Sequence, residues 1–465
     1  MSTFTRETQT FLTETRSAFS SSFSNISRRA LLKGAAAGTL MAAAGLDLTA
    51  CGGTSSSASS GSANSGTVTI WDRSGDLYQI FDACIPSFNK KYPNIKVKHV
   101  TVDVDSKLPS TLITGVNVPD GAFYEDNNTP VLSEHYLDIT DWMQPYASQC
   151  VPFKIAVNTY KGRIKGIPCD LDPGLMYYRA DILEQQGIDP TSIKTYSDLI
   201  PIAQTLQKKL GPKVKPIHLE LDPGNSQMWV NMFANQQGQG MVDNSGNLQI
   251  NSQPYLNALK WIQEVAQKGL GTHVTLFSTD HIAAWENGQE FFIPYAIWAV
   301  YGLDLLIKKT RGKWKAMPLP AWTAGGNRGA VMGGSSFIIP KKAKNPHLAW
   351  LWYEHLMFSA EGYQAVFGKN KVYPNGIETL LPSYQPALKT QLTGNVDALG
   401  GQNLWDVATS TIPQISNNWS YPVWYNSAAQ YFGTNIQKMI QGQMTPQQVL
   451  DVSTQQIQSK LTKHS

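Results

Sequence analysis

Cysteine is scarce here: four in 465 residues, with no C-x-x-C pair, and the eight histidines are scattered with no H-E-x-x-H. Zinc and iron–sulfur centres need clustered soft or imidazole ligands, so no metal or other cofactor is expected. Charge is thin as well. Asp, Glu, Lys and Arg make up 15% of the chain, and 38 basic against 34 acidic residues leave a formal net charge of +4. A nucleic-acid surface needs massed cations. The densest run, Lys341-Lys342-Ala343-Lys344, is short and reads as a solvated face. No cluster of Arg awaits an anion, and no tandem repeat of solenoid period is present. Beyond the first fifty residues nothing approaches the roughly 20 apolar residues of a spanning helix. Aromatic residues, by contrast, abound, with thirteen Trp and nineteen Tyr. Rings pack cores, yet several of these lie in polar or Gly-rich segments, where a ligand surface would place them.

The first fifty residues are organised differently from the rest. Residues 27–33 read SRRALLK, a small-residue apolar run follows, and residues 48–52 read LTACG. A charged start, an apolar middle and a small-residue cleavage zone make residues 1–50 an export signal rather than part of the fold. Arg28-Arg29 resembles a twin-arginine (Tat) signal, with the general secretory route as the alternative. Leu48-Thr49-Ala50-Cys51 resembles a bacterial lipobox. That resemblance implies lipid on Cys51 and residence on the extracytoplasmic face of the cell membrane. The apolar run is short, rich in Ala and Gly and broken by Asp47, which excludes a permanent span. Residues 51–66 supply a Gly/Ser-rich flexible linker with a typical reach of roughly 20 Å. Beyond Cys51 the cysteines are Cys84, Cys150 and Cys169. An oxidising exterior permits a bond, but an odd number leaves at least one thiol over and the pairing open.

The body is an α/β chain too long for one ordinary core, so two domains are expected. Val68-Thr69-Ile70-Trp71 is a β-type run; Leu77, Ile80, Phe81, Cys84 and Phe88 recur at helical spacing; Ile95, Val97 and His99 alternate. Strand, helix, strand is one βαβ unit and implies a parallel sheet. In such sheets ligands sit at the carboxyl ends of strands, which marks the loop 72–76. Thr195 with Asp198 predicts a capping box. Pro254 is expected at the first position of a helix, Asn345-Pro346 opens another, and Thr445-Pro446-Gln447-Gln448 caps the last.

From about Thr67 onward the chain resembles the family 1 extracellular solute-binding proteins, the sugar-capturing subunits of bacterial ABC importers. The residues that carry the resemblance are GRIKGIPCDLDPGLMYY at 162–178, Trp298 within AIWA, GGSSFIIP at 333–340, Asn345-Pro346 with its Trp-rich helix, and Ser359-Ala360-Glu361-Gly362. It implies a two-lobed periplasmic-binding-protein-like fold of type II. Each lobe would be a β-sheet flanked by helices, joined by crossover hinge strands. One lobe would hold 67–171 plus 334–376, the other 172–333 plus 377–465. It further implies a monomer that closes on a carbohydrate by hinge motion and delivers it to ABC permease subunits, without catalysing a reaction. The alternatives are a surface glycan-processing enzyme, or an adhesin or sensor that retained the fold.

A sugar offers hydroxyls at its rim and C–H groups on its faces, so its site needs carboxylates, amides and flat rings. On the resemblance, the ligand-binding candidates are Asp76 in the first β–α loop (with Arg73 weaker), Asp126 and Asn127 after the strand Ala122-Phe123-Tyr124, and Asp172, with Asp170 on the same strand face. Trp229, Trp298, Gly334 and Ser335 join them, with Gly333. Trp419 and Tyr421, beside Asn417, complete the set from the segment SNNWSYPVWY. Each has a plainer reading: a helix cap for Asp76, a turn for Asp126 and Asn127, core packing for Trp229, a tight strand entry for the glycines. Asp170 and Asp172 would be a glycosidase pair only if they straddled a bond, which two acids on one strand do not.

Overall fold

The computed structural model describes residues 64–73, 78–272, 274–370, 376 and 379–460. The export signal, the lipobox Cys51, nearly all of the linker and Asp76 lie outside the described residues. Strands β1 (Gly66–Arg73), β2 (Ile95–Val102), β3 (Gly121–Glu125) and β4 (Gly166–Pro168) begin a first sheet. The chain then builds a second one from β5 (Gly174–Arg179), β6 (Ile217–His218), β7 (Gly271–Thr272), β8 (Phe292–Ala296) and β9 (Trp314–Pro318). It returns once to the first sheet as β10 (Ser335–Ile338). The orders are β2-β1-β3-β10-β4 and β7-β6-β8-β5-β9.

The βαβ reading of the first unit holds. β1 and β2 run parallel in register from Gly66 opposite Ile95 to Arg73 opposite Val102. The helix between them differs in one respect: it divides into Tyr78–Asp82 and Ile85–Lys91. Pro86 explains the break, because it lacks an N–H and its ring excludes the carbonyl four residues back. Phe81 and Phe88 still face inward on the two pieces, and Cys84 between them is buried. The capping box forms as expected: Asp198 N–H donates to Thr195 Oγ1 at 3.3 Å, and Thr195 N–H donates to Asp198 Oδ2 at 2.8 Å. Gln448 and Thr445 exchange the same pair of bonds at 3.2 and 2.8 Å. Pro254 sits one place further in than expected, at the second position of the helix Gln253–Gln267, where a missing N–H costs equally little.

Each sheet has its own core. The helix Pro346–Phe358 packs on the first sheet, with the Tyr353 ring stacked on Phe337 at 4.5 Å. Trp285, Trp314, Tyr177 and Phe233 lie in the second core. The connections lie side by side: Asp170 and Leu171 pair antiparallel with Pro382 and Leu381, while Pro173 bridges Val331. This is the two-lobed α/β arrangement with crossing strands. Tyr384 and Ala387 belong to the first core although they follow the last crossing, as does Leu380 just before it. A small apolar cluster of Val151, Phe153, Val157, Leu171, Val331 and Trp419 seals the junction. Cys84, Cys150 and Cys169 are all buried free thiols. Among the described residues no helix is long and apolar enough to cross a membrane.

Candidate functional site

The site grows from three backbone segments that meet where the lobes join. β3 runs into the turn carrying Asp126 and Asn127. β4 continues through Cys169 to Asp170 and Asp172. The antiparallel β10 starts where β3 stops, with Ser335 opposite Glu125, so Gly333 and Gly334 arrive between the two acidic segments. Both glycines have positive φ, 108° and 112°, a region closed to most side chains. A Cβ on Gly333 would lie 2.9 Å from Asp172 Oδ2 and 3.6 Å from Trp298 Nε1. On Gly334 it would lie 2.7 Å from Asp126 Oδ2 and 3.4 Å from Lys154 Nζ. The glycines are therefore required by conformation and by crowding together, and they place Asp172 beside Trp298.

Among the described residues, three buried carboxyl groups lie around one buried cation here. Asp126 is ion-paired with Lys154, whose side chain is wholly buried. Lys154 also donates to the Ser335 carbonyl at 2.8 Å, and Ser336 Oγ donates to Asp126 Oδ1 at 2.7 Å. Asp170 Oδ1 accepts the Ser335 N–H at 2.8 Å. Burial is the largest influence on both remaining acids. It pushes Asp170 up to about 6 against the pull of Lys154. It carries Asp172 well above the carboxylate range, with the Asp170 charge adding to the effect. Asp172 shares a side-chain hydrogen bond with Asp170, while no N–H or hydroxyl reaches its buried Oδ1. An unpaired buried oxygen is costly, and a ligand hydroxyl is what would satisfy it.

The aromatic candidates separate by depth. Trp298 is half-buried in the turn Ile297–Ala299 after β8, edge-on to Tyr295 at 4.6 Å. Trp229 departs from its expected role: its ring is wholly enclosed, its Nε1 donates to the Pro294 carbonyl at 3.1 Å, and no face remains for a ligand. Trp419 is buried in the junction against Phe153 at 4.7 Å. Tyr421 is half-buried with its hydroxyl end enclosed; burial chiefly, then Tyr425 and the charges of Asp126 and Asp172, hold that hydroxyl neutral. Asn127 is half-buried in its turn, Asn417 is exposed, and Ser335 contributes its backbone to the acid cluster.

Apart from Arg73, the weaker candidate of the first loop, several polar groups here went unnoticed in the sequence. Arg73 and Glu125, at the carboxyl ends of β1 and β3, pair at 2.9 Å. The Glu125 charge reaches Tyr295 and Tyr425 of the other lobe, and Asn426 donates to Asn128 across the junction. Past the end of β6, burial pushes Glu220 up to about 7. Asn225 Oδ1, Ser226 Oγ and Gln227 Oε1, at the start of the helix Ser226–Asn235, are buried without hydrogen-bond partners. The run GNSQ, polar just ahead of an apolar helix, is the one signal that could have found them.

Comparison with known proteins agrees with this architecture. The bacterial extracellular solute-binding protein family matches residues 71–363. The chain is 26% identical over 331 residues to the arabinooligosaccharide-binding protein of Bacillus subtilis (strain 168), covering 67% of this chain and 73% of that protein. It is 24% identical over 375 residues to the lactose-binding protein of Rhizobium radiobacter, covering 75% and 82%. Among solved structures, the sugar-binding protein MalE from Xanthomonas citri superposes with a TM-score of 0.69 at 19% identity, over 86% of this chain and 98% of that one. The chain belongs to the bacterial extracellular solute-binding protein family.

Proposed function

We propose that this protein captures a carbohydrate, an oligosaccharide, between its two lobes and delivers it to the permease of an ABC importer, without turning it over. One observation carries the reading: the buried Asp172 Oδ1, which no N–H or hydroxyl reaches, sits beside the half-buried ring of Trp298, with Gly333 between them. A carboxyl group for a hydroxyl and a ring for a C–H face are the groups a neutral sugar needs. Asp172, Trp298, Tyr421, Gly334 and Asn127 line the cleft in this reading. Asp126 and Ser335 act behind them by holding Lys154 and Asp170, and Trp419 seals the hinge. The lobes comprise roughly 67–171 plus 334–376 and 172–333 plus 377–465, with Leu380, Tyr384 and Ala387 of the last segment packing back into the first core. Asp170 and Asp172 lie on one strand behind a single cleft wall, which does not suit the two sides of a glycosidic bond. Lipid on Cys51, after Tat export, keeps the monomer within linker reach of its transporter.

The test is a panel of saccharides that includes arabino-oligosaccharides, lactose and maltodextrins. The bound sugar should raise the melting temperature, since a ligand at about 100 times its Kd stabilises by about 2.7 kcal/mol, and should quench tryptophan fluorescence. Chromatography should recover it unchanged. A panel in which nothing shifts the melting temperature would remove the carbohydrate reading.

A further inference from the structure

His281 occupies the third position of the helix Thr279–Glu286 and is wholly buried. Ser278 Oγ caps that helix by accepting the His281 N–H at 3.2 Å. In return, His281 Nδ1 accepts the Phe277 N–H at 3.0 Å. The pair resembles a capping box displaced by one residue: the imidazole accepts the N–H of the residue before the cap rather than that of the cap itself. It holds Phe277 at φ 60°, a left-handed conformation that bulky residues avoid. So held, the Phe277 ring lies edge-on to Trp298 at 6.2 Å, Tyr301 at 6.0 Å and Trp285 at 6.1 Å. It fills the space beside Gly302, where any Cβ would collide with it.

The titratable groups facing His281 are His218 from β6, stacked on it at 4.2 Å, and Glu290 from the approach to β8, whose Oε2 lies 2.8 Å from His281 Nε2 and 3.1 Å from His218 Nδ1; the Trp285 ring packs edge-on to it at 4.2 Å. Glu220 lies beyond His218, and Asp280 is exposed on the helix itself. Three ligand-type atoms within 4.8 Å of one another would suit a metal by count. Proton bookkeeping argues against it. A metal on Nε2 leaves the ring proton on Nδ1, where an acceptor should face it; here Nδ1 faces an N–H.

We propose that unprotonated His281 is a positioning residue for Trp298: it pins Phe277, and Phe277 backs the Trp298 ring. The proposal rests on Trp298 facing ligand, as proposed above. Protonation would turn Nδ1 from acceptor to donor, oppose two N–H groups and release Phe277. Burial, then the neighbouring His218, lower His281 to about 4 against the pull of Glu290. The pin is therefore set at neutral pH and lost as pH falls toward 4.

The first arm of the test needs no ligand. Acrylamide quenching of Trp298, taken as the difference between each protein and its Trp298→Phe counterpart, is followed from pH 7.5 to 4, with circular dichroism as the fold control. Quenching in the native protein should rise toward the acid end. His281→Asn, whose Oδ1 takes the place of Nδ1 and does not protonate in this range, should stay low and flat. Phe277→Ala should be high throughout. In the second arm, arabinotriose should bind Phe277→Ala roughly 3- to 10-fold more weakly at pH 7.5 and His281→Asn within about twofold of native. An Asn variant that keeps the native pH profile, or a Phe277→Ala variant with native quenching, overturns the proposal. A first arm as expected with no saccharide binding supports the pin and overturns only the ligand role of Trp298.

Discussion

Replacing Lys154 by Met tests the acid cluster most directly. The thioether chain fills most of the space of the lysine stem, so the change removes a charge without opening a large cavity. Lys154 is the cation paired with buried Asp126, and its charge also opposes the raised pKa values of Asp170 and Asp172. Breaking a buried pair by deleting one partner costs about 3–5 kcal/mol, because a charge is stranded away from water. Proton uptake limits the loss. Asp170 stands at about 6, so it takes up a proton near neutral pH at little cost. The sign follows from linkage: carboxyls raised in the folded state bind protons that the unfolded chain does not, so folding is favoured as pH falls. The variant should lose about 3 kcal/mol at pH 7.5, and distinctly less at pH 5. Urea unfolding followed by tryptophan fluorescence at both pH values measures this, and adding Asp126→Asn should recover part of the loss. A deficit below about 1 kcal/mol at pH 7.5, or one that grows on acidification, would refute the reasoning.

Trp298→Ala should weaken saccharide binding roughly ten- to hundredfold with the melting temperature of the free protein little changed; titration calorimetry reads the first and a thermal scan the second. Gly334→Ala should destabilise by about 2 kcal/mol or more, since it adds a Cβ 2.7 Å from Asp126 Oδ2 at a φ of 112°; native-like denaturation would contradict the crowding. Cys84 and Cys150 are buried, with thiols pushed up to about 12 chiefly by burial. Ellman's reagent at pH 8 should leave them unmodified until urea unfolds the chain, and rapid labelling of the native protein would count against their enclosure.

Much of the fold was legible because local chemistry wrote it. The Thr195 box, Pro346 at the head of its helix and the first βαβ unit each need only a few neighbouring residues. Pro86 shows the limit: helical periodicity ran through it, and the break came from a carbonyl clash that periodicity does not register. The site was half legible. Asp172 and Trp298 stand in a strand-to-strand crossing and a turn, so their chemistry shows. Trp229 looks equally promising in sequence, yet its ring is spent on the core and on a bond to the Pro294 carbonyl. Lys154 gave no sign, being one lysine among many until Asp126 is folded against it.

Composition and short-range pattern determined, without coordinates, an α/β chain with no C-x-x-C or H-E-x-x-H motif and little net charge, and the order of its landmarks led to the two-lobed architecture. These properties depend on residues within a turn or two of each other, or on totals. Which acid keeps an unpaired oxygen, which tryptophan keeps a free face and which histidine must stay unprotonated were decided only by tertiary structure. Each depends on burial and on partners distant in sequence, as Asp172 does on Gly333 and Trp298, and no local window contains both.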